Sequence, residues 1–160
     1  MEPLAFTIPP AIARVNAALP QAPAAAALCL ALNLARGRVF PAELLRAMED
    51  KHLQLRVLDA GLTLDFTARR GWFVPRPAGT GDPDLVISAA AHDFVRLALR
   101  QDDPDTLFFA RRLLMQGDTE LGLLVKNTMD AAEWVVPTLA DLAPHRVARR
   151  LVRYALARRP

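Results

Sequence analysis

Three aspartates stand close together in the stretch DDPDTLFFARRLLMQGDTELGLLVKNTMDAAEW, residues 102–134. Asp102, Asp103 and Asp105 resemble the opening of a calcium loop, but the loop's glycine and closing glutamate are missing and Pro104 interrupts the run. A carboxylate just ahead of a helix accepts its unpaired N–H groups, so a helix start is the better account of these residues. His52, His92 and His145 fall in three different elements with no Cys or carboxylate at ligand spacing, which leaves zinc unsupported. Ser88, the only serine, sits in ISAAA, which is not a nucleophile elbow, and is expected at a buried strand end. Gly79-Thr80-Gly81 lacks the GK[ST] ending of a phosphate loop. Cys29 stands between Leu28 and Leu30 with no cation nearby to lower its pKa, and reads as a small buried hydrophobe. No catalytic residue, metal site or cofactor site is expected, and the chain reads as a non-enzyme.

The elements that would position these residues follow from proline placement and periodicity. Pro3, Pro9, Pro10, Pro20 and Pro23 break residues 1–21 into a proline-rich arm with room for a short helix between Pro10 and Pro20. The apolar run AAAALCLALNLA, residues 24–35, is shorter than the roughly 20 residues that span a bilayer and lacks a basic region ahead of it; it predicts a buried helix ending near Gly37. PAELLRAMED restarts a helix. Alternation then predicts strands: Leu53, Leu55 and Val57 share one face, as do Leu62, Leu64 and Phe66 after a turn at Asp59-Ala60-Gly61. A third strand follows Arg69-Arg70-Gly71, and Gln54, Arg56, Thr63 and Asp65 are expected to face water. DLVISAA predicts a buried strand, AHDFVRLALRQ a helix, and RLLMQGD a last strand ended by Gly117. In the closing helix Leu121, Leu124, Val125, Thr128, Ala132 and Val135 share one face. The layout is α+β, with helices on a mostly antiparallel sheet.

With 160 residues, 52% of them apolar and 23% charged, the chain has the composition of one globular domain. One cysteine permits no internal disulfide, which fits a reducing compartment such as the cytoplasm. Residues 1–141 hold 14 of the 20 basic and all 17 acidic side chains, a balance of −3, whereas residues 142–160 hold six arginines and no acid. The basic character belongs to the tail, so a general nucleic-acid surface is not implied. As a helix, the tail would place Arg146, Arg149, Arg150 and Arg153 on one arc opposite Val147, Leu151 and Tyr154. Such a helix can dock on an anionic membrane surface, pack on the acidic body or bind a partner. In the closing half Phe108, Phe109, Leu113, Met115, Leu121, Leu124, Val125 and Met129 exceed one helix stripe, which fits either a lipid-lined cavity or core packing.

DPDTLFF followed by RRLLMQGDTELGLLVKNTMDA, with DLVISAAAHDFVRLALRQ before it and LQLRVLDAGLTLDF further upstream, resembles the sterol carrier protein 2 domain family. The resemblance covers about residues 36–134 and is strongest to members that assist ubiquinone biosynthesis. It implies a five-stranded, mostly antiparallel sheet covered by helices with a hydrophobic lipid cavity, in a lipid-binding domain over residues 22–136. It implies a non-catalytic accessory factor for oxygen-independent ubiquinone synthesis, with no cofactor and with an isoprenoid quinone, its polyprenylated precursors or phospholipid as ligand. Hydroxylase partners like UbiU and UbiV are implied, as is a cytoplasmic location, to which an Arg-rich amphipathic helix over 137–160 would add contact with the inner membrane face. A protein-interaction module with an apolar groove is the competing reading.

Overall fold

A computed structural model of the chain describes residues 6–131; the arginines of the tail and the 132–135 end of the closing helix lie outside the described residues. Five strands form one sheet: β1 (Leu53–Val57), β2 (Leu62–Arg69), β3 (Trp72–Pro75), β4 (Leu85–Ala89) and β5 (Leu114–Gly117), in the order β3-β2-β1-β4-β5. β1 runs parallel to β4, and the other neighbours are antiparallel. The helices are α1 (Pro10–Ala18), α2 (Ala22–Val39), α3 (Ala42–Ala47), α4 (Ala91–Ala98), α5 (Pro104–Phe109) and α6 (Thr119–Ala131). The fold is α+β, as the alternation and proline placement predict.

The registers bring the apolar alternates of several strands onto one sheet face. Leu53 stands opposite Phe66 and Leu85, Leu55 opposite Leu64 and Ile87, and Val57 opposite Leu62 and Ala89. Side chains alternate across a strand, so one register places all of these towards the same core. Phe73, Leu44, Leu53, Leu85, Leu107 and Leu113 are its most completely buried large side chains.

The other sheet face differs from expectation. Gln54 and Asp65 are buried, Thr63 is half-buried and only Arg56 is exposed. The reason is mutual hydrogen bonding: Asp65 Oδ1 accepts from Gln54 Nε2 at 2.8 Å and meets His52 Nε2 at 2.7 Å, while Arg56 Nε donates to Gln54 Oε1 at 2.6 Å. Polar groups that satisfy one another can leave water at modest cost.

Helix ends follow their caps. Asp103 accepts from the Thr106 N–H at 2.7 Å at the start of α5, the helix start expected at these aspartates. Asp118 caps α6 through Leu121 N at 3.0 Å, and Asp59 of the β1–β2 turn accepts from Ala91 N at 2.7 Å, tying that turn to α4. α2 passes through Gly37 and stops at Phe40, because Pro41 disfavours helical geometry in the residue before it. It is buried along one side only, through Ala25, Cys29, Asn33, Leu34 and Val39, with Ala26, Ala27 and Ala31 exposed.

Candidate ligand cavity and its polar neighbour

An apolar cavity of about 420 Å³ lies between the sheet and four helices. The sheet contributes Leu55, Val57, Leu62, Phe66, Phe73 and Ile87, all from the apolar face. α2 contributes Leu28 and Leu32, α3 Leu44, α4 Phe94, Leu97 and Ala98, and α6 Val125, Thr128 and Met129. Phe40 and Met48, just beyond the ends of α2 and α3, complete this part of the lining. Thr128 is the one polar side chain among the described lining residues. The volume falls in the usual range for small-molecule sites, and the chemistry of the walls suits a hydrocarbon chain.

α2 is held in place by the sheet edge. Asn33 donates from Nδ2 to the Phe73 carbonyl at 2.8 Å and accepts from the Phe73 N–H at 2.9 Å. One turn on, Arg36 donates to the Gly71 carbonyl at 2.8 Å and stacks over Trp72 at 4.3 Å from the ring centre. These contacts occupy backbone groups that an edge strand would otherwise leave open, and they position Leu28 and Leu32 over the cavity.

The N-terminal segment reaches the same cavity. Ile8 is part of the lining, and α1 is seated on the β1–β2 turn, with Asn16 Nδ2 donating to the Ala60 carbonyl at 3.0 Å. Gly61, at φ +64°, makes this seat: a Cβ there would stand 2.3 Å from the Ala13 carbonyl oxygen. Ile12 and Val15 on α1 and Leu19 at its C-cap are exposed. Among the described residues no single helix is long and apolar enough to cross a membrane; α1 and α2 together meet that length and composition, across a 99° bend.

Of the eight side chains singled out in the sequence for lipid contact, Val125 and Met129 line the cavity. Leu121 and Leu113 are fully packed in the core, with Leu124 half-buried against it. Met115 and Phe108 border a separate groove of about 200 Å³ beside β5, together with Leu123. Phe109 is 80% exposed and packs edge-on against Phe108. Arg146, Arg149, Arg150 and Arg153 lie outside the described residues. Most of the lining comes from the sheet and from α2 to α4, where periodicity marked buried faces without marking an unfilled space between them.

Beyond the α4 end of the cavity lies a second space of about 280 Å³ with a different character, bordered by Arg100, Gln101, Asp102, Asp103, Pro104 and Asp130. Arg96 donates to both carboxylate oxygens of Asp102, at 2.7 and 2.8 Å, and this pairing holds the Asp102 carboxyl below its ordinary range. The Thr106 hydroxyl and N–H do the same for Asp103. No group of three or more His, Cys, Asp or Glu side chains able to hold a metal ion occurs among the described residues.

Residues 32–130 match the sequence model of the SCP-2 sterol transfer family. The chain is 44% identical over 89 residues to the ubiquinone biosynthesis accessory factor UbiT of Escherichia coli K12, a match covering 56% of this chain and 50% of that protein. The match to the UbiT of Escherichia coli O157:H7 has the same identity and coverage. The chain thus spans about half the length of the curated relatives it matches. Among solved structures it is similar to the UbiJ-SCP2 ubiquinone synthesis protein, at 20% identity and a TM-score of 0.49, covering 62% of this chain and 90% of that one. It is also similar to the sterol carrier protein domain 2 of Helicoverpa armigera, at 18% identity and a TM-score of 0.45, covering 60% and 79%.

Proposed function

The chain belongs to the SCP-2 sterol transfer family, and from that premise we propose that it is a non-catalytic lipid-binding accessory factor for ubiquinone biosynthesis, holding polyprenylated intermediates for partner hydroxylases in an oxygen-independent route. The observation that carries this reading is the cavity of about 420 Å³, walled by apolar side chains apart from Thr128. Each methylene taken from water is worth about 0.8 kcal/mol, so a prenyl chain leaves a bilayer only for a comparably apolar container. Such a container between sheet and helices suits the tail of a prenylated ring. The lipid-binding unit would span residues 22–136, preceded by a 1–21 arm whose α1 is seated on the β1–β2 turn. Membrane contact on the cytoplasmic side would draw on Arg146, Arg149, Arg150 and Arg153, whose charge suits anionic headgroups.

Organic extraction of the purified protein followed by mass spectrometry tests the reading. Prenylated phenols, or ubiquinone, in near-stoichiometric amount are the expected result; phospholipid alone would make the protein a general carrier. Lipid-free protein from quinone-producing cells would overturn the proposal and favour an interaction module, for which the exposed Phe108, Phe109, Leu114 and Leu123 provide a surface.

A further inference from the structure

The two edges of the sheet end differently. At β3 the outward N–H and C=O of Phe73 are taken up by Asn33 of α2, whereas among the described residues no hydrogen bond reaches the outer side of β5. Leu85 donates to the His52 carbonyl at 3.3 Å and Ala89 accepts from Leu58 N at 2.9 Å, so these residues of β4 face β1. Val86 and Ser88, between them, face Gln116 and Leu114 of β5. The same alternation turns the N–H and C=O of Met115 and Gly117 outward. β5 reads LMQG, without the proline or charge that commonly blocks pairing at an exposed edge.

We propose that this edge is a homodimer interface, at which β5 of a second copy pairs antiparallel about a two-fold axis at Gln116 and continues the sheet. Met115 of each copy then stands opposite Gly117 of the other, and the two exchange N–H···O=C bonds through groups that are otherwise open. The groove of about 200 Å³ beside β5 is bordered by Phe108, Gly117, Gly122 and Leu123. Neither glycine puts a side chain into it, which leaves room for Met115 of the second copy. That side chain covers Phe108 and Leu123, 39% and 55% exposed in a single chain. Charge selects a second copy as the occupant. Arg111 lies three residues ahead of β5 and Glu120 three residues beyond it, both exposed and neither in an ion pair among the described residues. Antiparallel pairing sets Arg111 of each copy beside Glu120 of the other, an opposite-charge contact at both ends of the paired segment. None of these residues lines the apolar cavity, so the dimer and the lipid-binding reading stand or fall separately.

Sedimentation equilibrium of the full chain tests the proposal. A reversible dimer is expected at about 100 µM, because so small a contact associates weakly. Met115→Pro removes an outward N–H without touching a bond to β4, and is expected to give a monomer with an unchanged circular dichroism spectrum. Arg111→Glu and Glu120→Arg are each expected to weaken association about tenfold, and the double variant to restore it. This charge pair decides the case should Met115→Pro fail to fold. Gln116→Cys, which meets itself at the axis, is expected to yield a disulfide-linked dimer under mild oxidation, Cys29 being buried. A wild-type chain that stays monomeric at that concentration would overturn the proposal. So would a dimer whose affinity is the same in the proline and charge-reversal variants, since it would then use another face.

Discussion

Asn33 of α2 hydrogen-bonds both backbone polar groups of Phe73 on β3, donating at 2.8 Å and accepting at 2.9 Å, with its side chain buried. A single amide thus closes the outer edge of the sheet at the point where it holds a cavity-lining helix. Asn33→Ala would leave a donor and an acceptor of Phe73 without partners. A loss of about 2–4 kcal/mol in urea unfolding is expected, with increased aggregation from the opened edge. Asn33→Asp is expected to be costly as well, because a carboxylate cannot donate to the Phe73 carbonyl.

Leu55 and Phe109 separate cavity from surface. Leu55 lines the apolar space, whereas Phe109 is 80% exposed. Leu55→Glu is expected to abolish co-purifying lipid, and Phe109→Glu to leave both lipid content and stability unchanged within about 0.5 kcal/mol. Ala98→Phe, which extends a ring into the cavity, should displace lipid while holding or raising the melting temperature of the lipid-free protein. Mass spectrometry of extracts alongside thermal melts checks all three.

Gly61 permits the close seating of α1 on the β1–β2 turn. Alanine there would meet the Ala13 carbonyl oxygen at 2.3 Å and adopt a left-handed backbone costing about 1–2 kcal/mol. The expected outcome of Gly61→Ala is faster proteolytic removal of residues 1–21, since α1 buries no residue of its own. Limited proteolysis followed by mass spectrometry reads this directly. Cleavage no faster than in the wild type would show that α1 is anchored elsewhere.

Asp102 contributes a pH dependence whose sign is set by Arg96. The pairing lowers the carboxyl pKa in the folded chain, so the folded state holds this proton less tightly than the unfolded chain does. The resulting stability is present above the ordinary carboxylate range and is lost as pH falls through the depressed folded value. Asp102→Asn is therefore expected to melt lower than the wild type at pH 7, with the gap closing as pH drops below about 4. Asp103 and Asp118, lowered by the hydrogen bonds they accept at helix starts, contribute in the same direction.

Much of the scaffold is legible in the linear order of residues. Alternation at Leu53, Leu55 and Val57, and at Leu62, Leu64 and Phe66, defines strands and their apolar face, because side-chain direction in a strand has a period of two whatever surrounds it. Asp103 and Asp118 announce helix starts because a cap acts within one turn of its own helix. The family resemblance, carried by a long run of residues, extends this local reading to the fold and its lipid cavity.

Tertiary structure decided which apolar faces meet and where they fail to fill the space between them. Phe108 and Phe109 have the composition of a lining, yet α5 directs them outward, while Leu28, Leu32 and Phe94, from segments far apart in the chain, converge on one cavity. Gln54 and Asp65 alternate as water-facing residues would, but cross-strand register brings them together with His52 into a buried network. Periodicity reports the direction of a side chain relative to its own element. Burial, a cavity wall or a hydrogen-bond partner depends on a second element whose distance along the chain the period does not encode.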